Sequence, residues 1–375
     1  MRTSPSSPAA PKNVRISGFD LYRYDLALSE PVTLKDTTLH RREGALVRLT
    51  ADDGSEGWGE TAPLPNFSPE GLEDTIEQLR AIAPELMDRE PPVNLLESDN
   101  NPFIELPGLT TSAGFGLEVA FLNLQAAYRG EALSDLLTDD PAKTVHTNGL
   151  ISGSVEKVLA EASSMTGEGY RAVKLKVGRR SVSEDVEIVR RVGEILSGVV
   201  SLRLDANRAW GFDEALKFAR GVSGTRVEYV EEPLAAPARL AELARGWGLP
   251  VALDESLVGM KPEDLGPHAY ARAIVLKPTL LGGVSRVLGL AAAAKTLGMV
   301  PVLSSSYEAG VGIGALVALA ASVGEEPAGL DTYRALAEDV LEAPLPLPAP
   351  AVAVRETMEA TRVVDVGRLL PVFVR

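Results

Sequence analysis

From about Val145 to Leu303 the chain alternates short apolar runs with longer segments whose apolar residues recur every three or four positions. The runs Val173–Val177, Val199–Leu204, Val227–Val230, Val251–Leu253, Ala273–Leu276 and Val300–Leu303 are rich in β-branched residues and read as strands that are apolar on both faces. Ser183–Leu196, Phe212–Arg220, Ala238–Arg245 and Val284–Leu297 read as amphipathic helices. In the first of these, Val186, Val189, Val192, Ile195 and Leu196 share one face. Six or more such units in a row predict a parallel sheet covered by helices, and favour a closed β/α barrel. Periodicity alone also permits an open doubly wound sheet.

The flanks differ in character. Val14–Tyr22 and Gly44–Leu49 read as strands, with Asp52-Asp53-Gly54 as a hairpin turn into Gly57–Glu60. Ser68–Arg80, with Ser68 opening it as a cap, and Ala113–Ala127 have helical spacing. Proline-rich Ala343–Pro350 reads as a linker, and two strand-like pieces follow it before Arg375.

Composition narrows the partners. The chain carries 52 acidic and 37 basic residues, a formal charge of −15, so it lacks the basic surface that nucleic acid or anionic lipid requires. There is no cysteine, which excludes disulfides, thiolate metal sites and a cysteine nucleophile. Met1–Lys12 is Ser/Pro/Ala-rich with no apolar run behind it, unlike a signal peptide. Ala309–Gly324, charge-free over 16 residues, falls short of the ~20 that span a bilayer. A cytoplasmic protein acting on a small molecule is expected.

The candidate chemistry sits where the apolar runs stop. They end in Lys174-Leu175-Lys176, Arg203-Leu204-Asp205-Ala206-Asn207, Glu231-Glu232-Pro233, Asp254-Glu255-Ser256 and Lys277-Pro278. Lys176, Asp205, Glu231, Asp254 and Lys277 follow one another at intervals of about 29, 26, 23 and 23 residues, one β/α unit each. In a barrel they converge on the C-terminal mouth, where such enzymes place their sites. Three carboxylates on consecutive strands suit an octahedral Mg²⁺, whereas zinc favours His or Cys. A lysine beside a cation and a second lysine has its pKa drawn down toward use as a base.

Taken singly, each of these residues reads more readily as a helix cap or an ion pair than as a catalytic group. Jointly they point to a site, because only ten of the 37 basic residues are lysine and three of those ten fall in these two motifs. Lys174 and Lys176 also face one side of their strand, inward in a barrel. His40, His146 and His268 stand at no acid-bearing strand end. Gly114-Phe115-Gly116 and Gly310-Val311-Gly312-Ile313-Gly314 lack dinucleotide or P-loop spacing. The second follows Ser304-Ser305-Ser306, read as the end of the eighth strand, and opens a helix. Its amide-rich terminus suits a substrate carboxylate, while tight strand–helix packing explains it equally well.

This set of residues resembles the enolase superfamily, and within it the muconate-lactonizing-enzyme subgroup, which carries Lys-x-Lys on the second barrel strand and a lone Lys on the sixth. The resemblance implies an α/β fold: a modified (β/α)₇β TIM-like barrel over 136–342, an α+β capping domain over 1–135 with a disordered tail over 1–12, and a segment 343–375 returning to that domain. It implies Asp205, Glu231 and Asp254 as ligands of Mg²⁺, with Mn²⁺ as a substitute, and Lys176 and Lys277 as acid/base residues supported by Lys174. Gly57–Ser68, Leu202–Trp210 and Ser304–Glu308 further resemble the o-succinylbenzoate synthases. Dipeptide epimerases carry Asp-x-Asp at the eighth strand and acid-sugar dehydratases a His–Asp dyad; neither pattern is present. The implied reaction is dehydration of 2-succinyl-6-hydroxy-2,4-cyclohexadiene-1-carboxylate to o-succinylbenzoate. Lys176 would take the proton α to the ring carboxylate, with Arg203, Asn207, Ser304, Ser305 and Ser306 around the substrate. An N-succinylamino-acid racemase, or another epimerase or cycloisomerase of the subgroup, remains the alternative.

Overall fold

A computed structural model describes residues 14–34, 37–91 and 108–375; the tail expected over 1–12 lies outside them. The N-terminal unit is built on two long antiparallel strands, β1 (Ile16–Leu34) and β2 (Thr37–Ala51), which pair Phe19 with Leu49 and Leu21 with Val47. The Asp52–Ser55 turn leads into β3 (Glu56–Thr61), and helices α1 (Leu72–Leu86) and α2 (Thr111–Arg129) follow. α1 begins later than Ser68. The Ser68 hydroxyl is used inside the preceding turn, accepting from the Leu64 amide, and Asp74 instead bonds the Gly71 amide at the helix start.

After α3 (Leu133–Leu137) and β4 (Thr144–His146), the chain enters a seven-stranded parallel sheet. Its strands are β5 (Asn148–Ile151), β6 (Ala172–Lys176), β7 (Ser201–Asp205), β8 (Val227–Glu231), β9 (Val251–Leu253), β10 (Ala273–Leu276) and β11 (Val300–Leu303), adjacent in chain order. Helices α4 (Val155–Glu168), α5 (Val182–Leu196), α6 (Phe212–Gly221), α7 (Leu240–Trp247), the short α8 (Pro278–Leu281), α9 (Val284–Thr296) and α10 (Gly310–Val323) connect them or follow them. Single bridges from Thr147 to Ala328 and from Ser304 to Gly329 close the sheet into a (β/α)₇β barrel. Tyr229, Ala252, Ala273, Val275 and Val302 fill its interior as a cluster separate from the large core outside the strands.

The closing bridges correct the strand count. Ser304–Ser306 end the seventh barrel strand, and the eighth is the segment at 328–329. Pro327-Ala328-Gly329-Leu330 offers no β-branched run, so periodicity does not reveal it. The true eighth strand still shows no Asp-x-Asp, since it reads Gly329-Leu330-Asp331. At the C-terminus β12 (Ala351–Ala353) pairs with β4, and β13 (Leu370–Val374) joins the N-terminal sheet beside β1. A helix not foreseen from the sequence, α11 (Val354–Ala360), lies between them. No helix among the described residues is long and apolar enough to cross a membrane.

Candidate active site

Five consecutive barrel strands deliver six ionisable side chains to one mouth. In-register pairing places Lys176 beside Asp205 and Asp205 beside Glu231, while Asp254 and Lys277 stand one residue beyond β9 and β10. Leu175 packs outward into the core, so Lys174 and Lys176 both turn inward, as the alternation requires. The Lys174 ammonium lies 2.6 Å from Glu231 Oε2 and 3.0 Å from Asp205 Oδ2, and Lys277 Nζ lies 2.5 Å from Asp254 Oδ2.

Burial and charge pull the lysines apart. Burial opposes the charge on Lys174, but Asp205, Glu231 and Asp254 outweigh it and hold its pKa well above the ordinary value. Lys277 is likewise desolvated, and Asp254 beside it raises its pKa. Lys176 goes the other way, lowered to about 8 by desolvation and by the positive charges of Lys174, Arg179 and Lys277, with only Asp205 opposing.

The carboxylates are equally unequal. Desolvation of Asp205 is overcome by Lys174, Lys176 and Lys277, which keep it below the usual carboxylate range. Glu231, 1% exposed, is pushed up to about 7 by desolvation despite Lys174. Among the described residues no three acidic or histidine side chains enclose a common point as they stand; ammonium groups occupy their oxygens. The donor set nevertheless fits a hard divalent cation: three buried carboxylates from adjacent strands, with Glu231 under-compensated by the ammonium charge present.

Two neighbours hold these acids in place. Asn207, at φ 45°, donates through Nδ2 to Asp205 Oδ1 at 2.6 Å. Glu232, the second acid of the Glu-Glu-Pro motif, was missed as a site residue in the sequence. It is fully buried and accepts from the Asp254 amide (3.0 Å), the Ser256 amide (2.8 Å) and the Arg208 guanidinium (3.1 Å). Glu232 thus fixes the turn that presents Asp254.

A cleft opens above these groups. Lys174, Lys176, Asp205, Asn207, Lys277, Ser304 and Ser305 line it from the barrel, joined by Tyr307, Asp331 and Thr332. The N-terminal unit contributes Leu34, Leu64 and Phe67, and the Phe67 ring stands 5.9 Å from Lys277 Nζ. Two of the sequence candidates lie elsewhere. Arg203 faces the barrel interior one layer below Asp205, fully buried, where Glu228, Glu326, Asn148 and the Pro327 carbonyl take its donors. Ser306 is buried behind the cleft, and its amide donates to Glu308. At the start of α10 the Ala309, Gly310 and Gly312 amides already bond carboxylates of the protein itself, Glu60 and Asp339.

Comparison with known proteins adds to this geometry. The Enolase C-terminal domain-like family matches residues 157–358, and the MenC N-terminal domain family matches residues 16–124. The o-succinylbenzoate synthase of Haemophilus influenzae is 32% identical over 330 residues, covering 87% of this chain and 92% of that protein. The o-succinylbenzoate synthase of Vibrio cholerae serotype O1 (strain M66-2) is 33% identical over 347 residues, covering 90% and 95%. Among solved structures, a dipeptide epimerase from Enterococcus faecalis V583, complexed with Mg and a dipeptide, superposes with a TM-score of 0.82 over 91% of this chain and 97% of that one. Its identity is 21%, a likeness of fold alone.

Proposed function

The chain belongs to the enolase superfamily, in its muconate-lactonizing-enzyme-like subgroup, and from that premise we propose that it dehydrates 2-succinyl-6-hydroxy-2,4-cyclohexadiene-1-carboxylate to o-succinylbenzoate. The observation that carries this reading is the likeness, across nearly the whole chain, to o-succinylbenzoate synthases 32–33% identical to it, joined to a cleft that Lys176 and Lys277 both line. The reading gives proton exchange to Lys176 and a fixed positive charge to Lys277. A one-base dehydration needs that division, whereas a racemase needs two exchangeable bases.

In the proposed mechanism neutral Lys176 takes the proton α to the ring carboxylate, and the C–H electron pair moves into the carboxylate as an enediolate. The Lys176 ammonium then returns that proton to the departing hydroxyl on the same face, so water leaves and the ring becomes aromatic. Lys277 stays protonated and faces the developing negative charge. Asp205, Glu231 and Asp254 would hold Mg²⁺, for which Mn²⁺ is the expected substitute; when bound, the cation supplies fixed positive charge for the enediolate. Leu34, Leu64 and Phe67 would shield the bound substrate from water, and Ser304, Ser305 and Asn207, which also line the cleft, would meet its polar parts.

The direct test mixes the purified protein with Mg²⁺ and the cyclohexadiene substrate and follows the rise of aromatic absorbance. Turnover is expected. Absence of turnover, with Mg²⁺ binding demonstrated on the same sample, overturns the proposed reaction.

A further inference from the structure

Three barrel helices, α4, α5 and α6, start on their own or local side chains. Ser154 Oγ accepts from the Lys157 amide at the start of α4, and Ser181 and Glu184 form a capping box on α5. α9 and α10 begin at Gly283 and Ala309, which have no side-chain oxygen to offer. Acids of the N-terminal unit accept from amides at both starts, while the Gly310 amide of α10 goes to Asp339. Glu118, on α2, accepts from the Val284 amide at 2.6 Å and the Ser285 amide at 3.0 Å. Glu60, on β3, accepts from the Ala309 and Gly312 amides, each at 2.7 Å, and from the Tyr24 hydroxyl at 2.6 Å.

Both acids are buried within apolar elements, where an unpaired carboxylate would be costly. The helix starts supply what each carboxylate needs, namely free N–H groups and the positive end of a helix dipole. The glycines there leave room for them. A Cβ at Gly283 would stand 2.2 Å from Glu118 Oε2, and one at Gly312 would stand 3.0 Å from Glu60 Oε2. The two acids sit on one wedge, because β3 and α2 are packed together and Asn123 of α2 donates to the Trp58 carbonyl of β3 at 2.7 Å.

The helices so engaged follow the barrel loops that carry Lys277 and Tyr307. A third tie has the same direction. Arg42 of β2, nearly fully buried, donates to the Tyr307 carbonyl (2.9 Å) and to the Pro63 carbonyl (3.0 Å), spanning the seam beside the segment that follows β3. Tyr307 itself holds φ 61°, an uncommon conformation for a non-glycine residue.

We propose that Glu60 and Glu118 are positioning residues: they cap α10 and α9 in trans, and so register the capping unit, with Leu64 and Phe67, over the barrel mouth. They contact no reacting atom and set where the cleft closes. The structural part of this proposal is independent of the proposed reaction, and only its kinetic arm rests on that reading.

The experiment measures amide hydrogen exchange of the full-length protein and of Glu60→Gln, Glu60→Ala, Glu118→Gln and Glu118→Ala, with steady-state kinetics on the same samples. Glu118→Ala should speed exchange of the Val284 and Ser285 amides about tenfold, leaving those of Ala309 and Gly312 at wild-type rates. Glu60→Ala should do the reverse. The glutamine variants, which keep one acceptor oxygen, should be intermediate and guard against variants that do not fold. Amides at the starts of α4 and α5 should not change. Kinetically, KM should rise about five- to tenfold with kcat within about twofold, because uniform substrate binding is lost and the chemistry kept. Unchanged protection in all four folded variants overturns the proposal, as does a uniform rise that includes α4 and α5. A fall in kcat without a rise in KM contradicts the positioning role even where exchange behaves as expected.

Discussion

The barrel and the capping unit meet at one cleft and bring opposite materials to it. The barrel presents lysines and carboxylates, paired at 2.5 to 3.0 Å and desolvated enough to shift their proton affinities. Among the described residues the capping unit lines the cleft with Leu34, Leu64 and Phe67, while three of its buried charges, Arg42, Glu60 and Glu118, are turned to the seam between the units. The difference teaches a separation of tasks. Charges that must react are carried on strand ends whose register is set by the sheet, and the surface that fits a substrate is carried on a separate unit that can vary without disturbing them.

That separation can be broken at several points. The largest effect is expected from Lys176→Met, which removes the only cleft lysine with a depressed pKa: kcat should fall by about 10³-fold or more, the upper range for loss of a general base, with Mg²⁺ affinity nearly unchanged. Rapid-quench or absorbance kinetics beside a calorimetric Mg²⁺ titration will check both halves. Glu232→Ala frees the Asp254 turn and should weaken Mg²⁺ binding roughly 10- to 100-fold, an effect of the barrel's own support and not of the cap. Phe67→Ala, on the capping side, should raise KM about tenfold and leave kcat within about threefold. A large loss of kcat in that variant would show that the cap takes part in the chemistry.

The smallest effect expected is in pH. Lys176 acts as a base in its neutral form, so kcat/KM should rise with pH and level off above its pKa of about 8. A bound cation nearby can only lower that value, so the gain from pH 7 to pH 8 should not exceed about fivefold. A profile falling across this interval would assign the basic role elsewhere.

How much of this was legible depends on what each residue advertises. Asp205, Glu231, Asp254, Lys176 and Lys277 stand out because each interrupts an apolar run at barrel spacing, and the structure gathers them at one mouth. The eighth strand was hidden, since two bridging residues in Pro327-Ala328-Gly329-Leu330 carry no strand pattern. Arg203 shows a different limit. It shares the inward face of its strand with Asp205, but a motif has no measure of depth, and two residues along a strand separate the cleft from the barrel's lower layer. Glu60 and Glu118 were illegible for a third reason: their partners are backbone amides of helices about 250 and 166 residues away, a relation that leaves no local pattern.

The central claim, that Lys176 exchanges the proton while Lys277 serves only as a charge, is tested most directly by measuring dehydration in Lys176→Arg and Lys277→Arg side by side. The account predicts that Lys277→Arg keeps measurable dehydration, since arginine preserves the cation, while Lys176→Arg has none above background. Equal and complete loss in both variants would contradict it and would point to two lysines that both move protons, as a racemase requires.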